Sequence, residues 1–338
     1  MQGARTVGRI ALAVLVALGI RLASKKYAGH KASHAGRVPR VIFSDIDGTL
    51  AHYPYQLDGI AEVVPHEKNK TATLRYITHG DIEMEVLALP SSKHGPAYIS
   101  KRTIELVKEL RSKGVLFVLM TAARASTYIE RRKILPAADW EVFENGGRIW
   151  KDGAVDPDWA SKMKEVTGFD GKSPKEEKLE NRPEQLWEFC RELQEQGWKI
   201  DTAGYETEFR VEVSIDWQAS NSVDRWEREV VPLLSEIKLG HSLNLGMVDV
   251  FPRMSGKANA ARYILDKIGV DPRDAVAMFD DENDLELGDV CGRCLLPGVS
   301  HESVWEHLND RPNWKVMTKH GPLATEEALE EVLKMLPA

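Results

Sequence analysis

Residues 41–50 read VIFSDIDGTL, an apolar run that leads directly into two carboxylates separated by one residue. The run predicts a buried strand ending at Asp45, and Gly48 permits a sharp turn behind it. Alternate residues of a strand share a side, so Asp45 and Asp47 are expected to face the same way. Two such carboxylates repel each other unless a cation or a shared proton intervenes. Mg²⁺, which prefers oxygen ligands, is the simplest cation for this place, although an ordinary strand-to-turn junction explains the stretch equally well.

The rest of the chain alternates short apolar runs with helical stretches. Further buried strands are predicted at VLFVLMT (115–121), WEVFENGG (140–147), DAVAMFDD (274–281) and RCLLPGV (293–299). A helix capped by Ser100 and stopped by Gly114 is expected before the second strand, and TEEALEEVLKML (325–336) predicts an amphipathic helix. Continuous apolar strands separated by helices are typical of an α/β protein with a parallel sheet covered on both faces.

Two segments interrupt this pattern. Residues 71–89 alternate around His79-Gly80-Asp81 and predict a hairpin between the first strand and its helix. Residues 149–250 are rich in Trp, Lys and Glu, and they predict a separate α+β domain. Within it, helices are expected at 182–197 and 222–237, and strands at 198–203, 209–215 and 243–252. The predicted division is therefore a segment 1–38, a core in two parts (39–148 and 251–338), and an inserted domain 149–250.

The N-terminal segment differs in charge from the rest of the chain. The 338 residues carry a net charge of −7, but residues 1–40 hold eight Lys or Arg and no acid. The acidic remainder gives no electrostatic reason to expect nucleic-acid binding. Residues 10–20, IALAVLVALGI, are too few to span a bilayer, which takes about twenty. They suit a secretory signal, a marginal anchor or a transit peptide, with a cytosolic surface helix as the alternative. Membrane contact is expected only through residues 9–22.

The three cysteines are too few for a disulfide framework. Cys291-Gly-Arg-Cys294 has the spacing of redox and zinc sites, but the sequence offers no second CxxC and no nearby histidine pair. We therefore expect two small, half-buried residues at a turn.

A second acidic cluster follows another predicted strand. MFDDENDLELG (278–288) contains Asp280, Asp281, Glu282, Asp284 and Glu286. In a parallel sheet this strand end opens onto the same crevice as the first, so both clusters are expected to meet there. Acids favour helix N-termini, which is the structural alternative. The spacing does not fit the calcium loop of an EF-hand.

Four segments together resemble the motifs of the haloacid dehalogenase-like phosphatases in order and approximate spacing: FSDIDGTL, LMTAAR, MSGKANAARYIL and FDDENDLEL. The chain is most similar to the Cof-type and sucrose-phosphate-phosphatase-like branch, whose large cap lies between the second and third motifs. ENGGRIW (144–150) resembles the junction into that cap. The resemblance runs from about Arg40 to the C-terminal helix. It implies a Rossmann-like α/β core with an inserted α+β cap, and a Mg²⁺-dependent phosphatase acting on a small phosphorylated metabolite, with a sugar phosphate favoured.

The resemblance also implies roles for single residues. Asp45 would be the nucleophile that becomes an aspartyl-phosphate, and Asp47 the general acid and base. Mg²⁺ would be held by the Asp45 carboxylate, the Asp47 backbone carbonyl and Asp280. Asn283 and Asp284 would support these ligands from behind.

Further residues would handle the phosphoryl group and the substrate. Thr121 would donate a hydrogen bond to the phosphoryl group, unless it only caps the following helix. Lys257 would offset the negative charge of nucleophile and phosphate, unless it is a solvated side chain. Weaker substrate candidates, for which structural roles are as good an explanation, are Arg124, Asn145 and Arg210, with Glu206 and Glu208 beside the last.

The chain departs from the family pattern in two motifs. Phe279 replaces the usual glycine of the fourth motif, and Ala122-Ala123 stand where the second often has glycine. Both changes are expected to narrow the space near the phosphate. The hairpin at 71–89 has no assigned role. A phosphomutase on the same core, and a non-catalytic binding protein, are the alternative functions.

Overall fold

The computed structural model describes residues 37–66, 70–90, 95–171, 181–214, 216, 219–244 and 246–337. The predicted signal or anchor at residues 10–20 therefore lies outside the described residues. Across the described ranges, no helix combines the length and apolar character needed to cross a membrane.

The described residues form strands and helices in the following order. The strands are β1 (Val41–Asp45), β2 (Ala61–His66), β3 (Thr71–Tyr76), β4 (Glu83–Leu89), β5 (Ala97–Ser100), β6 (Leu116–Met120), β7 (Trp140–Phe143), β8 (Arg148–Lys151), β9 (Ala154–Val155), β10 (Ile200–Asp201), β11 (Phe209–Glu212), β12 (Leu239–Asn244), β13 (Met247–Pro252), β14 (Ala275–Met278), β15 (Arg293–Leu296) and β16 (Trp314–Val316). The helices are α1 (Lys101–Ser112), α2 (Ala125–Arg131), α3 (Pro157–Thr167), α4 (Gln185–Glu195), α5 (Val223–Glu229), α6 (Val231–Leu234), α7 (Lys257–Ile268), α8 (Leu285–Val290), α9 (Glu302–Leu308) and α10 (Pro322–Lys334).

An eight-stranded sheet forms the core, in the order β16-β15-β14-β1-β6-β7-β8-β9. Strands β16 to β7 of this order are parallel, and β8 and β9 extend the sheet antiparallel. Residues 149–155, predicted as the start of the inserted domain, therefore belong to the core sheet. All five predicted core strands are present in the parallel part, although β7, β14 and β15 end three or four residues before the predicted stretches do. The α/β fold class is therefore confirmed.

Both faces of this sheet are covered, which explains why its strands read as continuous apolar runs. On one face Ile42 of β1 shares a hydrophobic cluster with Leu106 of α1 and Leu329 of α10. On the other face Phe43 packs in a cluster with Ile264 of α7. The buried free thiols Cys291 and Cys294 belong to that second cluster.

The first insertion is larger than the predicted hairpin. The hairpin is present as β3 and β4, but β2 and β5 flank it to give a second sheet in the order β2-β3-β4-β5. Pro65 is tolerated in β2 because that strand lies at the edge of the sheet. A separate hydrophobic cluster joins Leu74 and Val86 of this sheet to Leu323 of α10.

The second insertion carries a third sheet, antiparallel in the order β10-β11-β13-β12, with α4, α5 and α6. Its hydrophobic cluster contains Trp187, Phe209 and Trp226. Two details differ from expectation. Residues 243–252 hold the end of β12 and all of β13, with the turn at Gly246, instead of one strand. The helix expected at 222–237 breaks into α5 and α6 at Val230, two residues before Pro232.

Candidate active site

The carboxyl ends of β1, β6 and β14 open onto a cavity of about 570 Å³. Because Asp45 is in register with Met120, and Ser44 with Met278, the residues that end or follow these strands come together. The cavity wall includes six of the residues predicted for catalysis, phosphate binding or metal binding, namely Asp45, Asp47, Thr121, Lys257, Asp280 and Asn283.

Lys257 binds the predicted nucleophile directly. Its Nζ lies 2.6 Å from Asp45 Oδ1 and 2.7 Å from Asp284 Oδ2, and the lysine side chain is only 3% exposed. The alternative of a solvated lysine is therefore excluded. Asp284, predicted to support the metal ligands from behind, is buried and binds this lysine.

Burial and charge shift the pKa values of this group. Burial raises the pKa of Asp45 to about 7, against the opposing effect of Lys257 and with a further contribution from Asp284. Burial would lower the pKa of Lys257, but Asp284 and Asp45 outweigh it and raise that pKa. The lysine is thus held charged beside the carboxylate that it compensates.

Asp280 lies against the turn that follows β1. Thr49 Oγ1 donates to Asp280 Oδ1 over 3.0 Å. A Cβ at Gly48, where φ is +81°, would lie 2.2 Å from Asp280 Oδ2. Only glycine therefore lets the DIDGT turn approach this carboxylate so closely.

The carboxylates of this turn suit a hard cation. Burial and repulsion from Asp45 raise the pKa of Asp280 well above its ordinary value. A cation bound between the two carboxylates would relieve this repulsion. Within the described ranges, no group of three or more His, Cys, Asp or Glu side chains is arranged as a metal site. The set implied by the resemblance needs only two carboxylates and one backbone carbonyl, and these residues fit it.

Asp47, the predicted acid and base, is held by an arginine that the sequence analysis missed. Arg131 Nη1 donates to Asp47 Oδ1 over 2.8 Å and to Oδ2 over 3.0 Å. The arginine is 3% exposed, whereas the Asp47 side chain is 31% exposed. Nothing in the sequence ERRK distinguishes Arg131, which faces the site, from Arg132, which pairs with Glu141.

Thr121 follows β6, and its Oγ1 accepts a hydrogen bond from Ala123 N over 3.1 Å. The N-cap of α2 is Arg124, so the threonine does not cap that helix. Its hydroxyl hydrogen can be donated towards the cavity. Ala122 and Ala123 line the cavity as expected. The expectation for Phe279 was wrong, because its ring is fully buried in the core against Trp314, away from the cavity.

Two of the weaker substrate candidates line the cavity. Arg124 Nη2 lies 2.9 Å from Asp201 Oδ2, and its guanidinium stacks on the Tyr205 ring at 4.7 Å. Arg210 donates to Asp249 from β11. Both arginines are therefore present at the wall, each paired with a carboxylate.

Asn145 does not line the cavity. It is 3% exposed, and its Nδ2 donates to Glu208 Oε2 over 2.9 Å and to Asp249 Oδ2 over 3.0 Å. Since Asp249 in turn holds Arg210, Asn145 supports the wall from behind. Burial and repulsion from Asp249 raise the pKa of Glu208 well above its ordinary value.

A tyrosine pair also contributes to the cavity wall. Tyr53 and Tyr55 stack with ring centroids 5.6 Å apart, and both line the cavity between β1 and β2. The sequence YPY at residues 53–55 was the available signal, since two aromatic rings so near a strand end favour a binding wall.

Comparison with known proteins establishes the fold. No protein-family model matches the chain. An uncharacterised protein encoded in the pdhA 5′ region of Geobacillus stearothermophilus is 36% identical over 56 residues, which cover 17% of this chain and 59% of that relative. The chain thus spans less than two thirds of that protein.

Similarity to solved structures extends over most of the chain. A Thermoplasma acidophilum protein has a TM-score of 0.56 at 12% identity, covering 88% of this chain and 100% of its own. The sucrose-phosphatase of Synechocystis sp. PCC6803 has a TM-score of 0.56 at 14% identity, covering 87% and 98%. A HAD subclass IIB sugar phosphatase has a TM-score of 0.52 at 12% identity, covering 88% and 100%. The haloacid dehalogenase-like fold expected from the four motifs is therefore confirmed.

Proposed function

We propose that this chain, which has the haloacid dehalogenase-like fold, is a Mg²⁺-dependent phosphatase of small phosphorylated metabolites, with a sugar phosphate as the favoured class. The observation that carries the proposal is the 2.6 Å contact between Lys257 Nζ and Asp45 Oδ1, on the wall of a cavity that Asp280 also lines. A buried carboxylate paired with a lysine beside a second carboxylate is suited to attack on an anionic phosphate. The similar structures of a sucrose-phosphatase and a sugar phosphatase favour the sugar.

In the first half of the reaction, an Asp45 carboxylate oxygen attacks phosphorus, and the bond from phosphorus to the ester oxygen breaks. Asp47 donates a proton to that departing oxygen, and Thr121 donates a hydrogen bond to a phosphoryl oxygen. Lys257 compensates the charge of the attacking carboxylate. Mg²⁺, when held by Asp45, the Asp47 carbonyl and Asp280, would supply further positive charge to the phosphoryl group.

In the second half, the Asp47 carboxylate accepts a proton from water as the water oxygen attacks phosphorus. The bond between phosphorus and Asp45 then breaks, which releases inorganic phosphate and restores the nucleophile. The proton that Asp47 gave to the leaving group is thereby replaced by one from water.

The pairing of the arginines on the cavity wall supports an uncharged, hydroxyl-rich leaving group. Arg124 pairs with Asp201, and Arg210 pairs with Asp249, so each cation on this wall already has a carboxylate partner. A second phosphate on the substrate would have to share these guanidinium groups with carboxylates that already balance their charge. Tyr55, which is 46% exposed and lines the cavity, gives an aromatic surface of the kind that stacks on a sugar ring.

The decisive experiment measures phosphate release by the full chain across a panel of sugar phosphates and other metabolite phosphates, with and without Mg²⁺. We expect Mg²⁺-dependent turnover that Asp45→Asn abolishes, while Asp266→Asn, an exposed site on α7, keeps it. A folded wild type that releases no phosphate would contradict the proposal. Phosphoryl transfer between sugar hydroxyls in the presence of a bisphosphate would then favour the phosphomutase, and the absence of both activities would favour a binding protein.

A further inference from the structure

The second sheet, β2 to β5, reaches the site through Arg131. This arginine ends α2, and its guanidinium donates in three directions. Nη1 binds both Asp47 oxygens, Nη2 donates to Tyr53 Oη over 2.7 Å, and Nε donates to Pro90 O over 2.8 Å. Tyr53 precedes β2 and Pro90 directly follows β4, so the guanidinium joins the segment before the inserted sheet and the end of one of its strands to one carboxylate.

The arrangement restricts Asp47 more than its exposure would suggest. An aspartate side chain that is 31% exposed would ordinarily sample several rotamers. Here one buried nitrogen binds both carboxylate oxygens, and its own position is set by Tyr53 and Pro90. Each carboxylate oxygen has two lone pairs, so the clamp leaves acceptor sites of Asp47 available on the cavity side.

The Arg131–Asp47 pair can be compared with an ion pair that lies away from the cavity. The pair between Arg111 of α1 and Asp139, which precedes β7, also has two hydrogen bonds, of 2.7 and 3.0 Å. Its carboxylate additionally accepts from Phe117 N, but none of these residues lines the cavity. The Arg131 pair differs because its carboxylate faces the cavity and because its other two acceptors belong to the inserted segment.

We propose that Arg131 and Tyr53 are positioning residues that hold Asp47 in place for proton transfer to the departing ester oxygen, and that the β2–β5 sheet fixes their placement. The inference rests on the proposed phosphatase function. In the step concerned, an Asp45 oxygen forms its bond to phosphorus while the bond from phosphorus to the ester oxygen breaks. The Asp47 proton passes to that ester oxygen.

The dependence on leaving group distinguishes this role from a structural one. A sugar or alkyl alcohol needs a proton to depart, whereas p-nitrophenolate is stable without one. Misplacing Asp47 should therefore slow the first class of ester and leave the second almost unchanged. The value of kcat/KM is the suitable readout, because it covers the steps up to phosphoryl transfer and not the later attack by water.

The experiment compares kcat/KM for a sugar phosphate and for p-nitrophenyl phosphate in Arg131→Lys and Tyr53→Phe, in the full chain with Mg²⁺. We expect Arg131→Lys to lower the sugar phosphate value by about tenfold or more, and Tyr53→Phe by a smaller factor in the same direction. The p-nitrophenyl phosphate value should stay within about threefold. Matched controls are Arg111→Lys, in a paired arginine away from the cavity, and Tyr76→Phe, in β3; both should leave the ratio of the two values unchanged.

Equal losses for both esters, tracking a lower thermal unfolding temperature, would show a structural role and overturn the inference. If Arg131→Lys does not fold, Tyr53→Phe carries the test, since it removes one hydroxyl and keeps the ring. A wild type inactive towards both esters would instead contradict the phosphatase proposal, and this inference with it. A wild type that hydrolyses both esters with an unchanged ratio in both variants would overturn the inference alone.

Discussion

Lys257 is the residue on which the charge balance of the site depends, because its Nζ binds two buried carboxylates. Lys257→Met keeps most of the side-chain length and removes the charge. We expect the turnover to fall by about 10²–10³-fold, since the nucleophile and the phosphate lose their compensating cation. We also expect the free energy of unfolding to fall by about 3 kcal/mol, because Asp45 and Asp284 are left buried without it. Steady-state kinetics and urea unfolding measure the two effects.

The double variant Lys257→Met with Asp284→Asn separates these effects. It should regain part of the lost stability, because one unpaired carboxylate is gone, but none of the activity. Lys267→Met, on the same helix and paired with the exposed Asp158, is the matched control and should leave turnover unchanged. Wild-type turnover in Lys257→Met would contradict the role given to this lysine.

The burial of His52 should make the stability of the protein depend on pH. Its Nε2 lies 2.9 Å from Thr325 Oγ1, and that hydroxyl donates to Thr49 O over 2.5 Å, so the ring must be the donor to Thr325. Burial lowers the pKa of His52 from 6.5 to about 4. Between these two values the unfolded chain binds more protons than the folded one, so stability is lost as the pH falls through this window.

His52→Gln tests this, because glutamine keeps an amide donor near the position of Nε2 and does not titrate. The expected cost of the histidine at pH 4, relative to pH 7, is about 3 kcal/mol, and it should be missing from the variant. Urea unfolding of both proteins from pH 4 to 7, without metal, gives the difference. Parallel stability curves for the two proteins would show that this histidine does not titrate as described.

The residues that could be predicted are those whose place follows from a strand end. Asp45, Thr121 and Asp280 each end or directly follow a buried apolar run, and parallel strands bring their carboxyl ends to one edge. Arg131 and Asp284 could not be assigned in this way. Their partners, Asp47 and Lys257, lie on other elements, and only the reach of long side chains across the packed elements brings them together.

At the scale of elements, the turn between β7 and β8 packs so closely against the segment before α7 that only glycine fits at residue 146. Gly146 has φ of +84°, and a Cβ there would lie 2.6 Å from the backbone oxygen of Gly256. Asn145 O also accepts from Gly256 N over 2.7 Å, so the turn packs against the residue that directly precedes Lys257. A displacement of this turn should therefore move the lysine.

Gly146→Ala should destabilise the protein more than Gly197→Ala, its matched control. Gly197 has φ of +86° with no atom within 4 Å of a Cβ, so alanine there adds only the left-handed backbone strain, about 1 kcal/mol. At Gly146 the steric contact adds to that strain, and we expect a total loss of about 3 kcal/mol together with reduced kcat. Urea unfolding and kinetics of the two variants decide this, and equal losses would rule out the backbone contact.

The two strands that the sequence did not predict, β2 and β5, lack a local sequence pattern. Strand β5 has only four residues, and β2 contains Pro65, so neither shows the alternation that revealed β3 and β4. Their pairing partners are set by the fold of the whole insertion. Two breaks were visible in the sequence. Gly246 lies in the turn between β12 and β13, and Pro232 lies just after the break between α5 and α6.

At the scale of the whole molecule, the site joins distant parts of the chain. Asp45 lies in the first core strand, whereas Lys257 and Asp280 follow the second insertion, and the third sheet lies between them in sequence. The repulsion between Asp45 and Asp280 opposes this assembly, since burial leaves little water to screen it. A cation bound between the two parts should therefore stabilise the fold as well as the reaction.

Mg²⁺ should raise the thermal unfolding temperature of the wild type, by an amount that grows with its concentration above the dissociation constant. At a hundredfold excess over that constant, the gain in unfolding free energy is about 3 kcal/mol. Asp280→Asn should abolish the Mg²⁺ response and yet make the metal-free protein more stable than metal-free wild type, because one of two repelling carboxylates is removed while Asn still accepts from Thr49. Glu286→Gln, an exposed acid of the same segment, should change neither value. Differential scanning calorimetry of the three proteins, in EDTA and in Mg²⁺, measures these differences. An Asp280→Asn protein that is less stable without metal than the wild type would mean that hydrogen bonding, and not charge repulsion, dominates at this carboxylate.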